Sequence, residues 1–138
     1  MDVAVARAVL EAQPFSRLLG ARLAELSDEH VVLELDVDDR LRQQFGLIHG
    51  GVLAYLADNS LTYAAALALG PEVLTNGFTI DYLAAARDGA VLRATARLVG
   101  GGRRKATSRC DIEIVDDDGN AKLCATAMGS AISTAKSS

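Results

Sequence analysis

The chain has no tryptophan, and only three phenylalanines, three tyrosines, two prolines, two cysteines and two histidines among its 138 residues. With aromatics at 4%, a core has to be filled by Ala, Leu, Val and Ile. The two cysteines, Cys110 and Cys124, have neither CxxC spacing nor a neighbouring histidine, so no metal site is expected. They read as reduced, small apolar residues of strands. Basic residues are not in excess: 14 Lys and Arg against 18 Asp and Glu leave a net charge of −4. That balance argues against a nucleic-acid partner, which needs a basic face. No apolar run reaches the roughly eighteen residues of a membrane span, and residues 1–7 lack the basic start and apolar run of a signal peptide. No membrane association and a cytoplasmic location are therefore the expectations. What is present is an apolar half (50% of residues) over a length suited to a single domain, 1–138, able to bury a core without staples.

Residues 3–19 read as one or two short helices interrupted at Pro14. Strands are expected at 21–26 and 30–37, joined by the polar turn Ser27-Asp28-Glu29. In the second, Val31, Leu33, Leu35 and Val37 alternate with Val32, Glu34 and Asp36, the period of a half-buried strand. An irregular stretch, 38–48, leads into His49-Gly50-Gly51 and an Ala- and Leu-rich segment, 52–69, stopped by Gly70-Pro71. This segment predicts a long helix. It is apolar almost all round, so protein should enclose it. Further strands are expected at 73–84, 90–99, 105–115 and 121–133, with turns at 87–89, 100–102 and 116–120, and a polar, disordered tail at 134–138. The order predicts an α+β fold, an antiparallel sheet wrapped around one long central helix. A single sheet covers such a helix on one side only, so a homo-oligomer is expected.

The stretch from Gln43 to Thr62 carries the chemistry. Glycines at a helix start let a ligand approach backbone N–H groups that have no intrahelical partner, and the helix dipole adds to their pull on negative charge. Asp58 then interrupts the apolar run, with Asn59 and Ser60 beside it and Thr62 one turn on. A carboxylate there is costly unless paired or used. It either works on a substrate or ties the helix to a neighbouring loop.

His49-Gly50-Gly51 followed by Asp58 resembles the HGGxxxxxxD signature of the hotdog-fold acyl-CoA thioesterases, in the PaaI and 4-hydroxybenzoyl-CoA thioesterase branch. The resemblance runs over residues 15–133. It includes Phe78-Thr79-Ile80-Asp81-Tyr82-Leu83 with Gly89, the turn from Gly100 to Lys105, and the hairpin from Asp116 to Asn120. It implies a hotdog fold and hydrolysis of an acyl-CoA thioester, with coenzyme A as part of the substrate and no cofactor. The Gly50 amide would polarise the thioester carbonyl. Asp58, from the facing subunit, would act as nucleophile or as general base toward water. Gln43 stands where most relatives of the PaaI type have Asn, a residue that positions the carbonyl or the water; some aroyl-CoA members carry Gln there, which keeps the amide chemistry. Thr62 is a candidate for holding the water, or else bonds back to its own helix. His49 and Gly51 belong to the loop-to-helix junction, His49 being a structural residue more than a base. Asn59, Thr75 and Asn76 are candidates for lining the acyl site. Arg103, Arg104 and Lys105, after three glycines, either bind the phosphates of coenzyme A or form a solvated basic turn.

Three rivals were weighed. A dehydratase of this fold needs a His paired with a carboxylate, and neither His30 nor His49 is well placed for that. An acyl-CoA sensor needs a DNA-binding module that the N-terminal segment is too short to supply. A structural oligomer with a dead site has only the Gln43 departure in its favour. An aryl or a medium-chain acyl group is expected, with Gln43 tilting toward aryl, and the oligomer is expected by resemblance to be a tetramer of two dimers.

Overall fold

The structure of the protein is a computed structural model, which describes residues 1–136. Helix α1 (Val3–Glu11) starts where the Asp2 carboxylate accepts from the amides of Ala4 and Val5 at 2.7 and 3.1 Å. Such a cap satisfies donors that the helix itself leaves open. Pro14 opens α2 (Pro14–Leu19) in its first turn, where a missing N–H is harmless, and Gly20 at φ +80° closes it. Both helices lead into a sheet of six strands: β1 (Arg22–Leu26), β2 (His30–Asp36), β3 (Val73–Tyr82), β4 (Val91–Gly101), β5 (Lys105–Val115) and β6 (Ala121–Ser133). Its spatial order is β1-β2-β4-β5-β6-β3, antiparallel throughout. Helix α3 (Gly50–Leu69) lies across its concave face.

Side-chain alternation explains the wrap. Val31, Leu33 and Leu35 of β2, Leu92, Ala94 and Ala96 of β4, and Cys110, Ile112 and Ile114 of β5 point inward in register. They pack with Leu53, Leu56, Ala57, Leu61 and Ala64 of α3 in one cluster. Alanines in the centre of β4 let the helix sit close to the sheet. By length and apolarity α3 would suit a bilayer, but more than half of its apolar window is buried inside the protein, as for a core helix. Tyr63 reaches the other way and donates to the carbonyl of Ala6 at 2.9 Å, tying α1 to α3. Burial pushes its hydroxyl up to about 12.

The expected fold is the observed one, a hotdog, with adjusted bounds. Helix α3 begins two residues earlier than expected, at Gly50, because His49 caps it. Strand β4 continues through Gly100 and Gly101, which were expected in the turn; they pair with Thr107 and Ala106 across an irregularity after Leu98. A Cβ on Gly101 would stand 2.6 Å from the Ala106 Cα, so this pairing needs glycine. The first part of the polar tail is held: Thr134 donates to the Glu72 carbonyl at 2.8 Å and Arg104 to the Ala135 carbonyl at 3.1 Å. The rest of that tail, 137–138, lies outside the described residues.

Candidate active site

Between α2, one face of α3 and the start of β3 lies a cleft of about 450 Å³. Helical spacing puts Gly51, Tyr55, Asp58, Asn59 and Thr62 along its floor, while Val73, Thr75 and Phe78 of β3 and Phe15 of α2 form walls. Asp58 is the one charged residue in this lining. Its Oδ1 accepts from the Thr75 hydroxyl at 2.5 Å, and Oδ2 has no partner among the described residues. Thr62 Oγ1 lies 2.9 Å from the Asp58 backbone carbonyl and 2.7 Å from Thr75 Oγ1. Since Thr75 gives its single hydrogen to Asp58, the hydrogen of Thr62 goes to that carbonyl or to Thr75. The carboxylate is thus held in one orientation by a relay of two threonines, with its second oxygen open to the cleft.

Thr75 comes to face Asp58 because β3 carries an irregularity between Thr75 and Gly77. The extra residue there, Asn76, donates instead to Ser130 Oγ at 3.1 Å and stays out of the cleft. The structure therefore brings Thr75 to the site and not Asn76.

At the start of α3, His49 Nδ1 accepts from the Gly51 amide at 2.8 Å. The ring is a cap, as its structural reading expected, and it occupies the Gly51 donor. The Gly50 N–H has no partner among the described residues. Tyr82 donates to the Gly50 carbonyl at 2.9 Å, and a Cβ on Gly50 would lie 3.3 Å from that phenol. A Cβ on Gly51 would fall 2.9 Å from the His49 ring. Both glycines therefore permit close approaches, and Gly50 leaves one amide free for an incoming oxygen. Gln43 sits in the preceding loop with its side-chain oxygen accepting from the amides of Phe45 and Leu47 at 2.6 and 3.2 Å. Its amide nitrogen is left without a partner among the described residues.

Gly50 and Asp58 are eight residues apart on one helix, about 12 Å along its axis at about 1.5 Å per residue. They cannot both touch one carbonyl carbon and its oxygen from the same chain. Arg103, Arg104 and Lys105 are exposed in the β4–β5 turn, outside the cleft. Among the described residues no group of three or more His, Cys, Asp or Glu side chains could hold a metal.

Sequence reading missed a second polar cluster. Ser16 donates to Gln13 Oε1 at 2.6 Å and contacts the Tyr55 hydroxyl at 2.6 Å, while Asn59 Nδ2 donates to Tyr55 Oη at 3.0 Å and to Gln13 Oε1 at 3.1 Å. Asn59 was expected near the substrate; its amide hydrogens in fact lock α2 onto α3. The only available signal was a Gln and a Ser in an otherwise apolar helical segment, which surface helices share.

A single carboxylate over an apolar cleft, with a free helix-terminal amide on the same element, defines a class of hydrolytic site in which a carbonyl is polarised and attacked. Residues 45–121 match the thioesterase superfamily, and this chain belongs to it. It is 31% identical over 101 residues to the 1,4-dihydroxy-2-naphthoyl-CoA hydrolase of Listeria monocytogenes, covering 72% of this chain and 80% of that one. A crystal structure of a thioesterase family protein from Silicibacter pomeroyi superposes with a TM-score of 0.84 at 29% identity, over 91% of this chain and 93% of that one. The E. coli PaaI protein of the phenylacetic acid degradation operon shares the fold, with a TM-score of 0.80 at 24% identity over 96% of this chain and 92% of that one.

Proposed function

We propose that this chain is an acyl-CoA thioesterase, hydrolysing the thioester of an aryl- or medium-chain acyl-CoA to the free acid and coenzyme A. The observation that carries the reading is Asp58, oriented by Thr75 with one oxygen open to the cleft. The thioester carbonyl oxygen would take the free Gly50 amide, whose pull grows as the oxygen becomes an oxyanion. Asp58 Oδ2 would attack the carbonyl carbon or take a proton from an attacking water, and the thiol of coenzyme A would leave. Gln43, through its free amide nitrogen, would position the carbonyl or the water. Thr62 would hold the water through the oxygen it shows to Thr75. The relatives named as CoA hydrolases support thioester chemistry.

The distance between Gly50 and Asp58 requires that two copies share each site. Strand β3 is an edge strand with no partner on its outer side. Close to it in sequence or on it, Phe45, Leu74, Tyr82 and Leu83 are exposed. Pairing two copies along β3 would cover that edge and bring the Gly50 amide of one copy toward Asp58 of the other. A homotetramer of two such dimers is the assembly the reading expects. Arg103, Arg104 and Lys105 would meet the phosphates of coenzyme A, a role that suits guanidinium and ammonium groups on an exposed turn. Two buried, unpaired cysteines suit the reducing cytoplasm.

The test is release of free CoA thiol from a panel of aryl and aliphatic acyl-CoAs, comparing the wild type with Asp58→Asn. The expected result is turnover that drops by roughly 10²–10⁴ in the variant, the range for a positioned acid–base group, with fold and oligomer intact. No release from any substrate, or release indifferent to Asp58, would leave a non-catalytic acyl-CoA-binding protein as the better account.

A further inference from the structure

The cluster around Asn59 does more than hold α2, and counting its hydrogens shows what is left over. Ser16 gives its hydrogen to Gln13 Oε1, so Tyr55 supplies the one in its 2.6 Å contact with Ser16 Oγ. Tyr55 Oη and Gln13 Oε1 then absorb both hydrogens of the Asn59 amide. Two polar groups remain without a partner among the described residues: the acceptor Asn59 Oδ1 and the donor Gln13 Nε2. Neither is sealed in the core, where Ser108 Oγ is the unpartnered buried side-chain atom. Both residues line the cleft next to Asp58. Phe15, 58% exposed, stands edge-on to Tyr55 with ring centroids 5.4 Å apart, and gives that end of the cleft a flat apolar wall.

A group that accepts from an amide N–H and donates to an amide oxygen at once is a hydroxyl. We infer that Gln13 and Asn59 are specificity-determining residues that read a hydroxyl on the acyl group, between Gln13 Nε2 and Asn59 Oδ1, while Phe15 packs against an aryl body. This deepens the thioesterase reading and rests on it. The pair also borders a recess of about 100 Å³ lined by Val9, Tyr63 and Ala66. An aliphatic chain passing into that recess would desolvate both free polar groups without pairing them, which is unfavourable. A hydroxylated ring stops at them and satisfies both. Because four hydrogen bonds fix the donor and acceptor beforehand, little ordering remains to be done when substrate arrives.

The test compares kcat/KM for benzoyl-CoA and its monohydroxylated derivatives in wild type, Gln13→Glu and Gln13→Met. Glutamate keeps an oxygen for Ser16 and Asn59 but turns the free donor into an acceptor; methionine removes the polar group without adding charge. Thermal unfolding reports whether α2 stays docked. The wild type should favour at least one hydroxylated substrate by roughly three- to tenfold, the worth of one or two ordinary hydrogen bonds, and in both variants that ratio should fall to about one. A wild-type ratio near one, a ratio preserved in both variants, or a medium-chain acyl-CoA as the best substrate would overturn the inference while leaving thioester hydrolysis standing. If the wild type hydrolyses none of them, the thioesterase reading fails separately. Affinities for inert thioether analogues then decide: Gln13-dependent tighter binding of the hydroxylated analogue supports the inference, and equal binding sinks it.

Discussion

The two sides of α3 are built from one continuous segment and are finished to different degrees. On the sheet side, Leu53, Leu56, Ala57, Ser60, Leu61 and Ala64 are all buried, and even the polar Ser60 is satisfied, contacting Cys110 Sγ at 3.1 Å and the Ala57 carbonyl at 3.3 Å. On the cleft side, Gly51, Ala54, Tyr55, Asp58, Asn59 and Thr62 stay partly open, with unpaired groups at Asp58 Oδ2, Asn59 Oδ1 and the Gly50 amide. One side is closed by the chain's own sheet. The other waits for substrate and, in the reading proposed, for a second copy. Stability should therefore reside mainly on the first side and activity mainly on the second.

The Asp58→Asn comparison is the largest effect that separates them, since it removes the open carboxylate and touches no core contact. The converse is Leu56→Ala. Leu56 is fully buried against the sheet, so truncation should cost about 2–5 kcal/mol of stability, read as a lower Tm or denaturant midpoint. Turnover per folded molecule should hardly change; a large loss there would show that the two sides are not separable. Thr75→Val is a subtler break on the cleft side. Without its hydroxyl Asp58 can still face the cleft but is no longer held, and because Thr75 is exposed, water takes part of its place. A rate loss of about tenfold is expected, about 1.4 kcal/mol of the worth of a hydrogen bond to a charged group, with Tm unchanged. A loss as deep as that of Asp58→Asn would promote Thr75 from a positioning residue to one that touches the reacting atoms.

The smallest effect lies on the sealed side. Burial pushes the Cys110 thiol up to about 11, with the Ser60 hydrogen bond opposing and Asp111 adding to the shift. Iodoacetamide at pH 8 should leave Cys110 unmodified in the native protein and label it on unfolding. The folded thiol holds its proton more tightly than the unfolded one, so this group's stabilising share is whole below the ordinary thiol value of 9.0 and is lost as pH rises toward about 11. Rapid native labelling at pH 8 would mean that the helix–sheet seam opens.

The seam was legible in the sequence and the cleft only partly so. Alternation in 30–37, 90–99 and 105–115 announced the inward faces of β2, β4 and β5, because a strand repeats every two residues whatever it later packs against. The apolar run before Gly70-Pro71 announced α3 for a similar reason. Asp58 stood out because a carboxylate is unusual in such a run. The partners of Asp58 and Asn59 did not stand out. Thr75 reaches Asp58 across a β-bulge, and a one-residue bulge moves side chains between faces without any mark in composition. Gln13 and Ser16 are more than forty positions from Tyr55 and Asn59 in places where polar residues are ordinary.

The sequence by itself determined the elements, their order and the helix on which an acid interrupts an apolar run, since these follow from local periodicity, capping and turn chemistry. The tertiary structure alone decided that Thr75 and not Asn76 holds Asp58, that His49 spends itself on the Gly51 amide, and that an acceptor and a donor are left free beside the acid. It also showed that Gly50 and Asp58 are too far apart on one helix to serve one carbonyl. Each of these depends on distances between residues remote in the chain, which close packing sets and a one-dimensional pattern does not contain.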